Sequence, residues 1–86
     1  RDYRPLLIGA RMVSEIILKD TKGNIIDRNG YDTDFGDIFY KDKKVGSFEL
    51  SCDDDIGSYY LYIMDNGEEF NDHYVDDKEL IKACNL

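Results

Sequence analysis

The chain has 86 residues, is 42% hydrophobic and 35% charged, and carries a formal net charge of −8. That length supports one small domain near the lower end of self-sufficient size, and the apolar content argues against disorder despite the charge. No apolar run approaches the roughly 18 residues of a membrane-spanning helix, so no membrane partner is expected.

The charge is unevenly placed. Residues 1–28 hold six basic against four acidic groups, a net +2, and the rest hold five against fifteen, a net −10. An acidic surface repels nucleic acid and anionic lipid and attracts basic proteins. The first residue is Arg1 rather than Met, which reads as a trimmed, processed or excised chain. The apolar stretch at Pro5–Ala10 is too short for a signal peptide and lacks a small-residue cleavage pattern. Cys52 and Cys84 are too few for a disulfide scaffold and lack the CxxC spacing of a zinc site. They read as two buried free thiols, which points to a reducing, cytoplasmic setting.

In chain order, the first segment has two readings. Pro5 can open a helix with Leu6, Ala10, Val13 and Ile17 along one stripe. Alternatively, Met12–Lys19 is a strand. The strand is preferred because it runs into the turn cluster Asp20-Thr21-Lys22-Gly23-Asn24, after which Ile25-Ile26-Asp27 completes a hairpin. Residues Arg28–Gly36 read as a loop, Asp37–Tyr40 as a short strand, and Lys41–Lys44 as a charged turn.

The clearest signal is Val45–Phe70. Gly46, Phe48, Leu50 and Cys52 alternate with Val45, Ser47, Glu49 and Ser51, so the first set can face a core and the second water. In the next strand, Tyr59, Leu61 and Ile63 alternate with Ser58, Tyr60, Tyr62 and Met64. Asp53-Asp54-Asp55-Ile56-Gly57 is the turn between them, with Gly57 free to take positive φ. Asp65-Asn66-Gly67 closes the second strand, and Glu68–Tyr74 reads as an acidic loop.

A helix is expected over Asp77–Asn85. Asp76 is its N-cap, Asp76-x-x-Glu79 has the form of a capping box, and Leu80, Ile81 and Cys84 form its apolar face. A helix this short must dock to persist. The expected architecture is α+β: an antiparallel meander of four to five strands with the C-terminal helix packed on one face. Residues 1–86 form a single acidic domain.

Candidate chemistry is sparse. His73 is the only histidine, and a hydrolase would need a nucleophile beside it. Calcium loops starting at Asp27 or Asp32 fail the ligand pattern: from Asp27 position 6 is Asp32, and from Asp32 position 12 is Lys43, where Gly and Glu are required. No enzyme activity, metal or cofactor is expected. Tyr59, Tyr60 and Tyr62 lack the positive groove that a base-stacking platform requires, so direct nucleic-acid binding is not expected.

The acidic clusters remain: Asp32, Asp34 and Asp37; Asp53, Asp54 and Asp55; Glu68, Glu69 and Asp72; Asp76 and Asp77 with Glu79. Carboxylates held on a rigid fold present a charge array like that of phosphates, which a basic nucleic-acid-handling protein would bind. Tyr60 and Tyr62 join the expected partner-facing set, as aromatics on the outer face or against the helix. Tyr31, Phe35, Tyr40, Phe70 and Tyr74 would add interface anchors. In composition, though in no motif, the chain resembles the small acidic inhibitors of phages and mobile elements, such as anti-CRISPR, anti-restriction and toxin-immunity proteins. That resemblance implies an inhibitor that blocks a basic partner by mimicking nucleic acid or by occupying its active site. A structural or accessory interaction domain excised from a larger protein is the alternative.

Overall fold

The computed structural model describes residues 15–84; residues 1–14, including the Pro5 segment and the start of the Met12–Lys19 strand, lie outside it. Five strands form one antiparallel sheet in sequence order: β1 (Ile16–Lys19), β2 (Phe35–Tyr40), β3 (Lys43–Asp53), β4 (Gly57–Met64) and β5 (Glu69–Asn71). The helix α1 (Asp77–Cys84) follows.

The central hairpin forms as its alternation requires, except that Val45, expected to face water, is buried. Phe48, Tyr60 and Tyr62 are almost fully buried on the inner face, with Leu18 and Ile38 from neighbouring strands and Leu80 from the helix. Each such side chain contributes roughly 1.5–3 kcal/mol through removal from water. Leu50 packs at the margin of this core, but Cys52, on the same side, lies beyond it and is exposed. The expectation of two buried thiols therefore fails at Cys52. Cys84 is half-buried; its thiol donates to Leu80 O at 3.2 Å, and burial pushes its pKa up.

Gly36 sits on the inner face opposite Phe48. A Cβ there would fall 2.1 Å from Lys19 O and 2.8 Å from the Phe48 ring, so the missing side chain lets backbone and ring close over β2. Between Ile38 and Phe39 the register with β3 shifts, a bulge that seats Val45 in the core beside Gly46.

Three local expectations are corrected. Ile25-Ile26-Asp27 is not a strand: the chain makes a single bridge, Lys19 to Ile25, and a hydrogen bond from Ile26 N to Leu18 O, then turns away. The strand expected at Asp37 begins at Phe35. The acidic loop contains the edge strand β5, whose three residues pair with Leu61, Tyr62 and Ile63.

The helix begins as its sequence signature demands. Asp76 Oδ1 accepts from Glu79 N at 2.9 Å, and Glu79 Oε1 reaches back toward Asp76 N at 3.5 Å. Leu80 and Ala83 bury against the inner face, and Asn66 Nδ2 donates to Ala83 O at the far end.

Candidate functional site

The acidic residues divide into those that hold the fold and those offered to solvent. Asp77, the first helical residue, accepts both arms of the Arg28 guanidinium, Nη2 to Oδ1 at 2.9 Å and Nη1 to Oδ2 at 3.0 Å. Burial disfavours the Arg28 charge, yet the Asp77 pair outweighs it and the net shift of the Arg28 pKa is upward. The Asp72 side chain is 8% exposed and accepts from Tyr31 Oη at 2.9 Å and from Tyr60 N at 3.2 Å. Asp37 pairs with Lys44 Nζ at 3.4 Å, Asp76 caps the helix, and Glu68 accepts from Asn66. These five were expected to face a partner; their carboxylates are engaged within the domain.

Tyr60 and Tyr62 are corrected outright. They lie on the inner face at 0% and 1% exposure, because β4 turns that side toward the helix and the core. They offer no surface to a partner. Their hydroxyls find no hydrogen-bond partner among the described residues, and burial raises both phenol pKa values. Of the aromatic anchors, Phe35 and Tyr74 are exposed, while Tyr31, Tyr40 and Phe70 pack against the core.

What remains converges on one end of the sheet. The register between β3 and β4 runs to Asp53 opposite Gly57, with Asp54, Asp55 and Ile56 as the turn and Gly57 at φ 78°. Asp53 Oδ1 accepts from Asp55 N at 2.7 Å, which tightens the turn. Asp34 is tied alongside, since its carbonyl accepts from Leu50 N at 2.7 Å. Asp32 lies two residues earlier in the same loop. The structure thus groups the exposed residues Asp32, Asp34, Asp53, Asp54 and Asp55 around a single hairpin end. Glu68 and Glu69 belong to the opposite end of β4, about 23 Å away at the usual strand rise. That opposite end also carries Lys41, Lys43 and Lys44 beside Asp42 and Asp65, so its charge is mixed where the hairpin end is purely acidic.

His73 borders the acidic end. Its Nε2 lies 3.0 Å from Ser58 O, and its ring stacks on Tyr31 at 6.2 Å and meets Tyr59 edge-on at 6.5 Å. Neither His–Cys pairing considered from the sequence forms among the described residues, as Cys84 Sγ is committed to Leu80 O. A shallow cavity of about 560 Å³ opens beside His73, lined by Arg28, Asn29, Tyr31, Tyr62 and Asp72. Among the described residues, no group of three or more His, Cys, Asp or Glu side chains is placed to hold a metal ion. No described helix is long and apolar enough to cross a membrane.

Sequence reasoning missed the Arg28–Asp77 and Tyr31–Asp72 pairs, whose members lie 49 and 41 residues apart. No local pattern signals either. No family model, curated protein or solved structure matches the chain, so its chemistry is read from its own residues.

Proposed function

We propose that this domain binds a basic, nucleic-acid-handling protein through its acidic hairpin end and blocks that protein's access to nucleic acid, acting in the cytoplasm and without catalysis of its own. The observation that carries the reading is the grouping of Asp32, Asp34, Asp53, Asp54 and Asp55, all exposed, at one end of a rigid sheet. Only Asp53 of this group also serves the fold, through its bond from Asp55 N, and the other carboxylates stand exposed to a partner. Fixed charges of one sign steer encounter with a surface of the other and lose effect beyond a Debye length, about 8–10 Å in ordinary salt. Phe35 and Tyr74, both exposed, add apolar contact that salt does not screen.

The test is a paired capture from nuclease-treated lysate, using the wild-type domain and Asp53→Lys/Asp54→Lys/Asp55→Lys side by side with elution by rising salt. A basic nucleic-acid-binding protein retained by the wild type, displaced by added DNA or RNA and lost from the variant supports the reading. Loss of affinity by tenfold or more is expected for reversal of three interface charges, on the order of 1.4 kcal/mol or above. The same proteins on both baits, with unaltered salt elution, would show that the hairpin end is not the binding surface. Circular dichroism of the variant separates lost binding from lost fold.

A further inference from the structure

Two groups in the wall of the cavity beside His73 are buried without the partners their chemistry requires. The Asp72 side chain is 8% exposed, yet both donors on it, Tyr31 Oη and Tyr60 N, are neutral. A buried carboxylate is ordinarily paired with a cation. Among the described residues, the basic nitrogen within reach is His73 Nε2, at 4.0 Å from Asp72 Oδ1. That nitrogen faces Ser58 O at 3.0 Å, and a carbonyl only accepts, so its proton is given there. Tyr62, also in the wall, is 1% exposed, and its hydroxyl has no hydrogen-bond partner among the described residues.

The cavity measures about 560 Å³, within the ordinary range of small-ligand sites, about 300–1,000 Å³. Its polar groups are of two kinds. Asp72 has about four acceptor positions, of which Tyr31 and Tyr60 fill two, and Tyr31 gives its proton to Asp72, so its oxygen is an acceptor too. On the donor side, Tyr62 supplies an O–H, and Arg28 keeps N–H groups beyond the two that Asp77 takes. Arg28 and Asp77 cancel in charge, which leaves Asp72 with a neutral His73 in a domain of net charge −8. The cavity therefore suits a cation that also offers an acceptor. A plain ammonium meets Asp72 but leaves the Tyr62 hydroxyl without an acceptor. An anion meets Tyr62 and Arg28 but is repelled by Asp72. A flat ligand that stacks finds its platforms taken, since the Tyr31 ring lies against Tyr60 and His73, and the Tyr62 ring against Arg28.

We propose that this cavity binds an α-ammonium group together with the amide carbonyl next to it, the unit presented by the first residue of a peptide chain or by a small amino amide. The ammonium donates to Asp72 and to Tyr31 Oη, and the carbonyl accepts from the Tyr62 hydroxyl and from Arg28. One ligand thus pairs the buried carboxylate and satisfies the buried hydroxyl. Asp53, Asp54 and Asp55 are not in the cavity wall, so the site stands whether or not the hairpin end binds a partner.

The experiment follows the backbone amides of the full chain by heteronuclear NMR at about pH 6.5, below the usual α-amino pKa of about 7.7–8.0, during titration with three probes. Glycinamide carries both groups, ethylamine only the ammonium and acetamide only the carbonyl. Glycinamide should shift the Tyr60, Tyr62, Asp72 and His73 amides and saturate in the millimolar range, about tenfold tighter than either fragment. Tyr62→Phe keeps the ring and removes a hydroxyl that has no partner in the free domain, so stability should hold or rise. It should weaken glycinamide severalfold and leave ethylamine unchanged, a split that altered packing alone does not produce. Asp72→Asn should weaken glycinamide and ethylamine alike, by about tenfold or more. If its melting curve shows lost folding, Tyr62→Phe carries the test. Triglycinamide beside its N-acetylated form separates the two sources. Tighter binding than glycinamide, lost on acetylation, assigns a peptide N-terminus, and binding equal to glycinamide assigns the small amino amide. No saturable shift, equal affinity for all three probes (an adventitious additive only), or a Tyr62→Phe variant that binds glycinamide like wild type overturns the proposal.

Discussion

Breaking the Arg28–Asp77 pair should release the helix from the loop before β2, and the size of the effect can be worked from the contacts. The pair makes two charge-assisted hydrogen bonds at 2.9 and 3.0 Å, with side chains 29% and 28% exposed. Fully buried bonds of this kind are worth about 1.5–3 kcal/mol each, but nearly one-third exposure admits solvent screening, so the coupling should be about 1–1.5 kcal/mol. Arg28→Ala also loses the guanidinium resting 5.9 Å from the Tyr62 ring centroid, about 0.5 kcal/mol more, for a total near 2. Asp77→Ala removes a negative group from the first helical turn, again about 0.5 kcal/mol beyond the pair. The double variant loses the pair only once and should fall about 2–2.5 kcal/mol below wild type rather than the roughly 3–4 of simple addition. Arg28→Lys keeps the charge without the two-pronged geometry and should lose about 1 kcal/mol. Urea unfolding of the wild type, both single variants and the double variant closes the cycle, and each single variant should melt roughly 8–15 °C lower. Additivity to within about 0.3 kcal/mol would refute the claim that this pair couples loop to helix.

Gly36→Ala should destabilise by about 3 kcal/mol, because its Cβ would collide with Lys19 O and the Phe48 ring; a melting temperature within a few degrees of wild type would contradict the packing described. At the turn between β2 and β3, Lys41 and Asp42 both hold positive φ, 51° and 65°, without being glycine. Asp42→Gly should therefore stabilise by about 0.5–1 kcal/mol in chemical denaturation, and an unchanged or lower midpoint would count against strain at this turn. Burial and the neighbouring Asp72 push the Tyr31 pKa up to about 12, and burial also raises Tyr60 and Tyr62. The fold favours the protonated phenols, so their contribution is complete below about pH 10 and lost as pH rises toward about 12. Denaturation midpoints should fall across that window, and less steeply in Tyr31→Phe; equal slopes would remove Tyr31 from the account.

The elements that could be read from the sequence are those specified by neighbours in the chain. The β3–β4 hairpin follows from alternation around Asp53–Gly57, and the start of α1 from Asp76 and Glu79 three residues apart. The edge strand β5 could not be read, because Glu69, Phe70 and Asn71 become a strand only by pairing with β4. Ile25 and Ile26 look like a strand by propensity, but tertiary pairing supplies one bridge and no more. The face that β4 buries was equally hidden, since both of its faces are apolar and alternation cannot choose between them. The candidate site was half legible. Acidity showed where carboxylates are, but only long-range partners showed that Asp72 and Asp77 are spent on Tyr31 and Arg28.

The lengths of the strands also determine which openings the acidic end can enter. β2 pairs with β3 only as far as Glu49, and β5 with β4 only from Leu61 onward, whereas β3 and β4 continue together to Asp53 and Gly57. The whole sheet is about 19 Å between its outer strands, but the last rungs form a ribbon whose two strands are only ~4.8 Å apart. The domain thus narrows at the turn itself, beyond the flanks that Asp34 supplies at Leu50 and His73 at Ser58. A blunt acidic surface can only lie against the rim of a groove, whereas a tapered one can be inserted into it, with the broader sheet behind acting as a stop that limits the depth of entry.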